Sequence, residues 1–388
     1  MNDLGQILSL WQELENAGAD YVLATVVAVE GSSYRKPGAC MLLSQDGRRA
    51  GTVSGGCLEA EVMRRAWWLT SQGPVVERYS TQEDEDERPY GSGCGGVVFL
   101  LLERKQTAGP LLALFESAFN QRMSLALATI LDGSHIGERR ALTSGEPLNW
   151  RSARELPEPF ATDLDRITRI ALETPTSFEQ TIPLDGIPTR ILADYRPPRR
   201  GLWIFGAGDD AKPLAQFAQG LGWFVAVADG RSNLITRDRF PAVDDLRVLP
   251  IFDLPGVAPK HLALRPSDAA VVMTHSYDQD SHILAALLAG STLPAYLGVL
   301  GPQRRTRELL REAARLLKLP ASADRVEKWL SQMNAPTGLD LGADTPAAIA
   351  LSILAEIQKV LAAATAQPLR TVRATQEVTT HCEVAEET

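Results

Sequence analysis

Residues 201–231 read GLWIFGAGDDAKPLAQFAQGLGWFVAVADGR, and this stretch decides the fold of the second half of the chain. The apolar strand LWIF leads into Gly206-Ala207-Gly208, and Ala211 completes the pattern G-x-G-x-x-A. A helical segment and a second apolar strand follow, and that strand ends at Asp229, about 20 residues after the turn. A strand, a glycine turn, a helix, a strand and a terminal acid in this order predict a Rossmann-like βαβ unit.

Two acidic residues follow the glycine turn directly. Asp209 and Asp210 fall in the first turn of the predicted helix, where carboxylates stabilise the helix dipole. The same charges would repel the pyrophosphate of a dinucleotide, which normally binds at this helix N-terminus. The sequence therefore predicts a Rossmann-like fold in which NAD(P) binding is disfavoured.

The alternation of strands and helices continues beyond this unit. The run SDAAVVMTH, residues 267–275, predicts a buried strand, and Asp280 or Ser281 is expected to cap the helix that follows. PAYLGVLG, residues 294–301, predicts another strand, with a helix over residues 303–317. The fold class predicted for this half is α/β with a parallel sheet.

Ligand loops in such a sheet gather beyond the carboxyl ends of its strands. The candidate cofactor-binding residues at this edge are Gly206, Gly208, Asp229, His275, Gly298 and Gly301. His275 is either a ligand contact or a histidine hydrogen-bonded at a strand end. A metal site combining it with Asp278, Asp280 and His282 is a further alternative, although aspartates there also serve as helix caps.

Composition limits the classes of protein to which the chain can belong. Its 388 residues are 45% hydrophobic and 22% charged, which is typical of a soluble globular protein with two domains or more. The net charge of −9 argues against a nucleic-acid surface. We expect no signal peptide and no membrane span, since no apolar run approaches roughly 18 residues. Four cysteines without a CxxC pair indicate a cytoplasmic protein with reduced thiols.

A glycine-flanked cysteine marks the N-terminal half. Residues 51–59 read GTVSGGCLE and place Cys57 ahead of an apolar stripe with helical spacing. At a helix N-terminus, unpaired N–H groups and the helix dipole favour a thiolate and also bind anions. Ser54, Gly55, Gly56 and Cys57 are therefore candidate cofactor-binding residues. A tight turn around a small buried cysteine is the alternative explanation.

Two other segments complete this candidate site. Residues 91–96, GSGCGG, repeat the glycine-flanked arrangement around Cys94, with Gly93 and Gly95 on either side. The loop GSSYRKPG holds Arg35 and Lys36, which are candidate phosphate contacts. As exposed cations in a solvated turn, these two residues would need no ligand.

The organisation along the chain follows from turn signals and composition. Residues 21–29, YVLATVVAV, predict a strand buried on both faces. The stretch from Leu142 to Pro188 is rich in Pro, Ser and Thr, and predicts irregular structure, edge strands and a connection between domains. We place the N-terminal domain at residues 1–195, the Rossmann-like domain at 196–361 and a disordered tail at 362–388.

Seven segments together resemble one known family. They are GSSYRKPGACMLL, GTVSGGCLEAEV, GSGCGG, IFGAGDDAKPL, VVMTHSYDQD, YLGVLG and GLDLGADTPAAIALSILAEI. In this order they resemble the XdhC/CoxI family, accessory proteins for xanthine dehydrogenase type molybdenum enzymes. The resemblance extends from about Val22 to about Ile357 and implies an N-terminal mixed α/β XdhC/CoxI domain before the Rossmann-like parallel-sheet domain.

The resemblance also implies a function. Members act as chaperones that bind molybdenum cofactor (molybdopterin), promote its sulfuration and deliver it to a xanthine dehydrogenase type molybdoenzyme. The implied partners are that enzyme and a cysteine desulfurase as sulfur donor. We also expect a homodimer, because closed dimers are the commonest assembly of soluble proteins. Cys57 and Cys94 match the family's two glycine-flanked cysteines. Since thiolates are soft ligands, both are candidate metal ligands, sulfur relays or residues that only shape the loop.

Two alternatives to an accessory chaperone stay open at this stage. One is an NAD(P)-dependent oxidoreductase that uses the Rossmann crevice. The other is a non-catalytic scaffold that bridges a sulfur donor and an apo-enzyme without holding cofactor. The sequence marks no residue as a catalytic acid or base for hydride transfer.

Overall fold

The computed structural model describes residues 2–56, 58–80, 96–145, 150–152, 155–254, 263–290 and 292–372. The chain divides into two compact units between Arg199 and Arg200, which we describe in turn. Cys57, the segment 91–95 with Gly93, Cys94 and Gly95, and residues 373–388 of the predicted tail lie outside the described residues.

The first unit begins with an antiparallel sheet and three helices. The strands are β1 (Tyr21–Glu30), β2 (Cys40–Ser44), β3 (Arg49–Gly51), β4 (Val75–Ser80) and β5 (Val97–Arg104). The helices are α1 (Asn2–Asn16), α2 (Glu59–Leu69) and α3 (Lys105–Asn120). The strand order is β3-β2-β1-β5-β4, so the predicted two-faced burial of β1 is confirmed by its central place. Tyr21 and Leu23 pack towards α1 and α3, whereas Val22 and Ala24 pack towards α2.

A second antiparallel sheet follows in the same unit, in the order β8-β7-β6-β10-β9. Its strands are β6 (Leu125–Ile130), β7 (Arg139–Thr143), β8 (Trp150–Arg151), β9 (Phe178–Leu184) and β10 (Ile187–Arg196). Helix α4 (Phe160–Glu173) covers one face. From Leu142 to Pro188 the predicted edge strands are confirmed, since β8 and β9 are the two outer strands of this sheet. The predicted irregular structure is wrong, because regular elements with apolar inner faces occupy most of the stretch.

The second unit is a parallel sheet in the order β13-β12-β11-β14-β15. Its strands are β11 (Gly201–Phe205), β12 (Phe224–Asp229), β13 (Asp245–Val248), β14 (Ala269–Val272) and β15 (Tyr296–Val299). Its helices are α5 (Ala211–Gly220), α6 (Tyr277–Leu288), α7 (Gln303–Leu316), α8 (Ala323–Leu330) and α9 (Pro346–Leu361). Parallel strands connected by helices on both faces confirm the Rossmann-like α/β fold.

Alternating side chains of β11 divide the core of this unit into two layers. Trp203 and Phe205 pack with α6, α7 and α8, whereas Leu202 and Ile204 pack with α5 and α9. All these strand residues are fully buried, as expected for the centre of a parallel sheet.

Two details of the second unit bear on the sequence predictions. Ser276 caps α6 by accepting a hydrogen bond from the Gln279 N–H, so the predicted cap at Asp280 or Ser281 is wrong. Asp280 lies inside the first turn, where its carboxylate binds other partners.

Within the described part of the chain, no helix is both long and apolar enough to cross a bilayer.

Candidate functional site

The first unit contains a cavity of about 750 Å³ beside the glycine-rich loop after β3. Its walls come from α1, the loop after β1, strand β3 and the loop before α2. The lining residues are Gln6, Ser32, Ser33, Tyr34, Arg49, Ala50, Gly51, Thr52, Ser54, Gly55, Gly56, Leu58 and Val98. The structure thus places the predicted candidates Ser54, Gly55 and Gly56 on one cavity wall.

Gly51 allows the chain to leave β3 at this wall. Its φ of +78° lies in the left-handed region, and a Cβ there would collide with the Cys40 carbonyl oxygen and with Ile7 of α1. Only glycine meets both requirements without a shift of the backbone. The close approach sets the start of the loop against β2 and α1.

A buried carboxylate holds the loop in shape. Glu59, 1% exposed, accepts hydrogen bonds from the N–H groups of Val53 at 3.2 Å and Ser54 at 2.9 Å, and from the Thr52 and Ser54 hydroxyls. Burial opposes ionisation, but the hydrogen bonds from Ser54 and Thr52 outweigh it and lower the pKa of Glu59 to about 2. Sequence reasoning missed this residue, which positions the loop beside the cavity.

Ser54 satisfies N–H groups that the sequence predicted to be unpaired. Its hydroxyl oxygen accepts from the Gly56 N–H at 3.2 Å and from the Leu58 N–H at 3.1 Å. The start of α2 is therefore partly capped by the chain itself. An anion in the cavity would need donors other than these two N–H groups.

Arg35 and Lys36, the residues predicted to contact phosphate, lie outside the cavity lining. The Arg35 side chain donates from Nε to the Thr52 carbonyl oxygen at 3.0 Å and forms an ion pair with Asp3, which ties the loop to α1. Neither Arg35 nor the exposed Lys36 lines the cavity. Arg49 does line it, and we find no hydrogen-bond or ion-pair partner for its side chain among the described residues.

The two glycine-flanked cysteines lie outside the described residues, but their described neighbours do not. Gly56 and Leu58, on either side of Cys57, both line the cavity. Gly96, two residues after Cys94, packs so closely on Ser32 that a Cβ would collide with the Ser32 carbonyl oxygen. Ser32 also lines the cavity. The described ends of both segments therefore reach the cavity wall.

In the second unit, polar side chains lie against the glycine turn of the predicted crevice. The Asp210 carboxylate lies 2.6 Å from His275 Nε2, and a Cβ at Gly208 would lie 2.5 Å from Asp210 Oδ1. His275 itself has a φ of +62°, an uncommon backbone conformation for a non-glycine residue. In a dinucleotide site the glycine turn lets the pyrophosphate approach. Here Asp210 and His275 lie against that turn.

Asp229 faces its own glycine turn. Its carboxylate is fully buried and accepts from the Ala207 N–H at 2.8 Å and from Arg231 at 2.7 and 2.9 Å. Burial would raise the pKa of Asp229, but the hydrogen bonds from Arg231 and Ala207 lower it. The lone pairs that would accept a ribose hydroxyl already have partners in the protein.

The remaining predicted crevice residues separate into two groups. Gly206 packs against the backbone of Met273 and Thr274, and Gly301, with a φ of +104°, lies beside Arg305. Gly298 instead lies within β15, where a Cβ would lie 2.5 Å from Thr337 Oγ1. Its glycine is explained by packing inside the unit and not by a ligand.

The suggested metal ligands do not come together. Asp280 binds Thr274 and Arg305, and His282 Nδ1 lies 2.8 Å from the Asp278 carbonyl oxygen. Across the described ranges, no three His, Cys, Asp or Glu side chains are grouped so as to hold a metal ion. The metal alternative at this edge therefore finds no support in the geometry.

Both units match models of known protein families. The XdhC and CoxI family model matches residues 14–80, and the XdhC Rossmann domain model matches residues 202–357. A probable xanthine dehydrogenase subunit from Bacillus subtilis (strain 168) is 32% identical over 358 residues, covering 91% of this chain and 97% of that protein. This chain belongs to the XdhC and CoxI family. The family expected from the sequence segments is confirmed.

Two further relatives cover almost the whole chain. The molybdenum cofactor insertion chaperone PaoD of Escherichia coli (strain K12) is 27% identical, over 92% of this chain and 89% of that protein. A crystal structure of a xanthine dehydrogenase from Bacillus halodurans aligns with a TM-score of 0.70 and 28% identity. That alignment covers 94% of this chain and 98% of the other. The matched regions include the cavity of the first unit and the crevice of the second.

Proposed function

We propose that this protein is a maturation chaperone that binds a molybdopterin-type molybdenum cofactor in the cavity of the first unit. It supports sulfuration of that cofactor and delivers it to a xanthine dehydrogenase type molybdoenzyme. The observation that carries the proposal is the cavity itself, formed by the glycine-rich loop that precedes Cys57. The names of the relatives, one of them a molybdenum cofactor insertion chaperone, point to the same class of ligand.

The lining residues fit a phosphorylated pterin. A volume of about 750 Å³ is typical of small-molecule sites. Gln6 and Ser32 offer polar side chains for a pterin edge, and Arg49 offers a phosphate a cation that has no partner among the described residues. When bound, the cofactor supplies the metal and its sulfur chemistry.

In this proposal the protein holds the glycine-rich loop in place and supplies cysteine thiolates as soft ligands. Glu59 fixes Thr52, Val53 and Ser54 through its carboxylate, so hydrogen bonds within the chain hold this wall of the cavity in shape. Cys57 and Cys94 are the proposed metal ligands or sulfur relays, because a thiolate suits molybdenum and can attack the outer sulfur of a donor's persulfide, taking that sulfur while the donor's thiolate leaves. A cysteine desulfurase as sulfur donor and a homodimer as the working assembly are parts of the same proposal.

The contacts at the glycine turn of the Rossmann unit argue against a nucleotide there and so support this assignment. Asp210 and His275 lie against the glycine turn, and Asp229 is committed to Ala207 and Arg231. No observation favours an NAD(P)-dependent oxidoreductase. We therefore assign the cofactor to the first unit, and propose no nucleotide in the second.

Replacement of Cys57 by serine tests the proposal. We expect cofactor that co-elutes with the protein in gel filtration to fall about tenfold or more, since serine removes a soft ligand at the loop. Activation of a xanthine dehydrogenase type apo-enzyme should fall with it. Cys382→Ser, the same change outside both matched segments, is the control. Unchanged retention and unchanged activation in Cys57→Ser would rule out a role for Cys57.

A further inference from the structure

The cavity of the first unit has a simple charge pattern. Among its described lining residues, Arg49 is the one side chain that carries a formal charge. Neighbouring arginines are held by carboxylates: Arg35 pairs with Asp3, and Arg48 pairs with Asp46 and Glu13. Arg49 is exposed, and we find no such partner for it in the described parts of the chain. An unpaired guanidinium on a cavity wall suits a phosphate, which it can bind through two N–H donors.

The short strand β3 fixes where Arg49 stands. Its register pairs Arg49 with Leu43 of β2, and Gly51 pairs with Met41 at the other end. The close packing of Gly51 on Cys40 and Ile7 holds that end of the strand. The Arg49 side chain is therefore exposed, but it starts from a backbone that strand pairing holds in place.

An exposed aromatic ring forms another part of the wall. Tyr34 is 72% exposed, and its Cγ lies 3.7 Å from the position that a Cβ on Gly55 would occupy. The ring thus lies beside the glycine loop. An exposed aromatic at a cavity provides a flat apolar face, and stacking a planar heterocycle on such a face is favourable.

We infer that Tyr34 stacks on the heterocycle of the ligand and that Arg49 binds its phosphate. The ligand class is a planar heterocycle bearing a phosphate, recognised at its two ends by these side chains. This inference rests on the proposed function and adds which residues recognise the cofactor. It replaces Arg35 and Lys36, the phosphate contacts expected from sequence, with a residue from the next hairpin.

Binding of purified molybdopterin-form cofactor to the full chain tests the inference. Arg49→Ala should weaken binding about tenfold, because a charge-assisted pair to phosphate is lost. Tyr34→Ala should weaken it by about fivefold or more, whereas Tyr34→Phe, which keeps the ring, should stay within about twofold. Arg48→Ala is the matched control, since it removes an adjacent exposed arginine outside the cavity lining. Both test residues are exposed, so the variants should fold.

Competition by inorganic phosphate separates charge recognition from general damage to the site. Phosphate should compete with the cofactor for the wild-type protein and for Tyr34→Ala, and much less for Arg49→Ala. The inference is overturned if Arg49→Ala and Tyr34→Ala bind like Arg48→Ala while the wild-type protein binds cofactor normally. Failure of the wild-type protein itself to bind cofactor would instead overturn the proposed function, and the inference with it.

Discussion

Glu59→Ala should lower the free energy of unfolding of the first unit by about 3 kcal/mol. The substitution leaves the N–H groups of Val53 and Ser54 and two hydroxyls without their buried acceptor. Unsatisfied buried donors cost about 1–3 kcal/mol each, and part of that cost will be recovered as water enters beside the cavity. Hydrogen exchange at the Val53 and Ser54 amides measures the effect directly.

The matched control for this loop is Glu61→Ala in the same helical turn. Glu61 is also largely buried, but it pairs with Arg64 and Arg65 and, among the described residues, makes no hydrogen bond to the Val53 or Ser54 amide, so its loss should leave the protection of those amides close to the wild-type level. Equal protection of the loop amides in Glu59→Ala and Glu61→Ala would show that the carboxylate of Glu59 does not hold the loop.

The same contacts make the contribution of Glu59 to the free energy of unfolding depend on pH, and this contribution falls as the pH is lowered. The pKa of Glu59 is lowered from its ordinary 4.5 to about 2 in the folded protein. The folded state therefore binds the proton less readily than the unfolded state, and ionised Glu59 contributes its full stabilisation above pH 4.5. This contribution is lost as the pH falls from about 4.5 towards 2. The difference between wild-type and Glu59→Ala protein should shrink over that interval.

Asp280→Ala should destabilise the second unit by about 3 kcal/mol. Its buried carboxylate accepts from the Thr274 N–H at 3.2 Å, from the Thr274 hydroxyl at 2.6 Å and from Arg305 at 2.7 Å. These contacts join the end of β14 to α6 and α7. Removing the carboxylate leaves the partly buried Arg305 guanidinium with only its long 3.5 Å hydrogen bond to the Leu300 carbonyl oxygen, and it takes the acceptor from the buried Thr274 N–H, which is why the expected cost is large.

Denaturant unfolding of the full-length Asp280→Ala protein measures this cost, with full-length Asp278→Ala as the control. Asp278 lies in the same first turn of α6 but is exposed, so its replacement should change the free energy of unfolding by about 0.5 kcal/mol or less. If both variants unfold at the same denaturant concentration, the Asp280 network is not an important source of stability in the second unit.

The sequence predicted the Rossmann-like unit well because its signals are local. Continuous apolar strands, a glycine turn and the acid at Asp229 occur within one short stretch. The second sheet of the first unit was predicted only in part, as edge strands between Leu142 and Pro188, although further signals were present. The buried residues of α4 form a helical stripe through Leu164, Ile167 and Ala171. Asp185-Gly186, with positive φ at both residues, is a two-residue hairpin turn between β9 and β10.

The candidate site was predicted as a loop but not as a set of side chains. Ser54, Gly55 and Gly56, which the local glycine pattern marked as candidates, line the cavity. Which cation faces the cavity depends on distant partners: Arg35 is taken by Asp3 of α1, whereas Arg49 is brought to the wall by strand pairing. Asp229 shows the same limit: its place in the pattern made it a candidate cofactor-binding residue, but in the structure its buried carboxylate bonds to Ala207 and Arg231.

Cofactor binding by Gly55→Leu tests most directly the claim that the cavity of the first unit holds the cofactor. Gly55 lines the cavity, its φ lies outside the strained range, and a Cβ there would make only ordinary contact with Tyr34. A leucine at this position should therefore fit the fold while occupying ligand space. Gly220→Leu, in open space at the end of α5, is the matched control. We predict that Gly55→Leu loses cofactor binding while Gly220→Leu keeps it; wild-type affinity in Gly55→Leu would contradict the account.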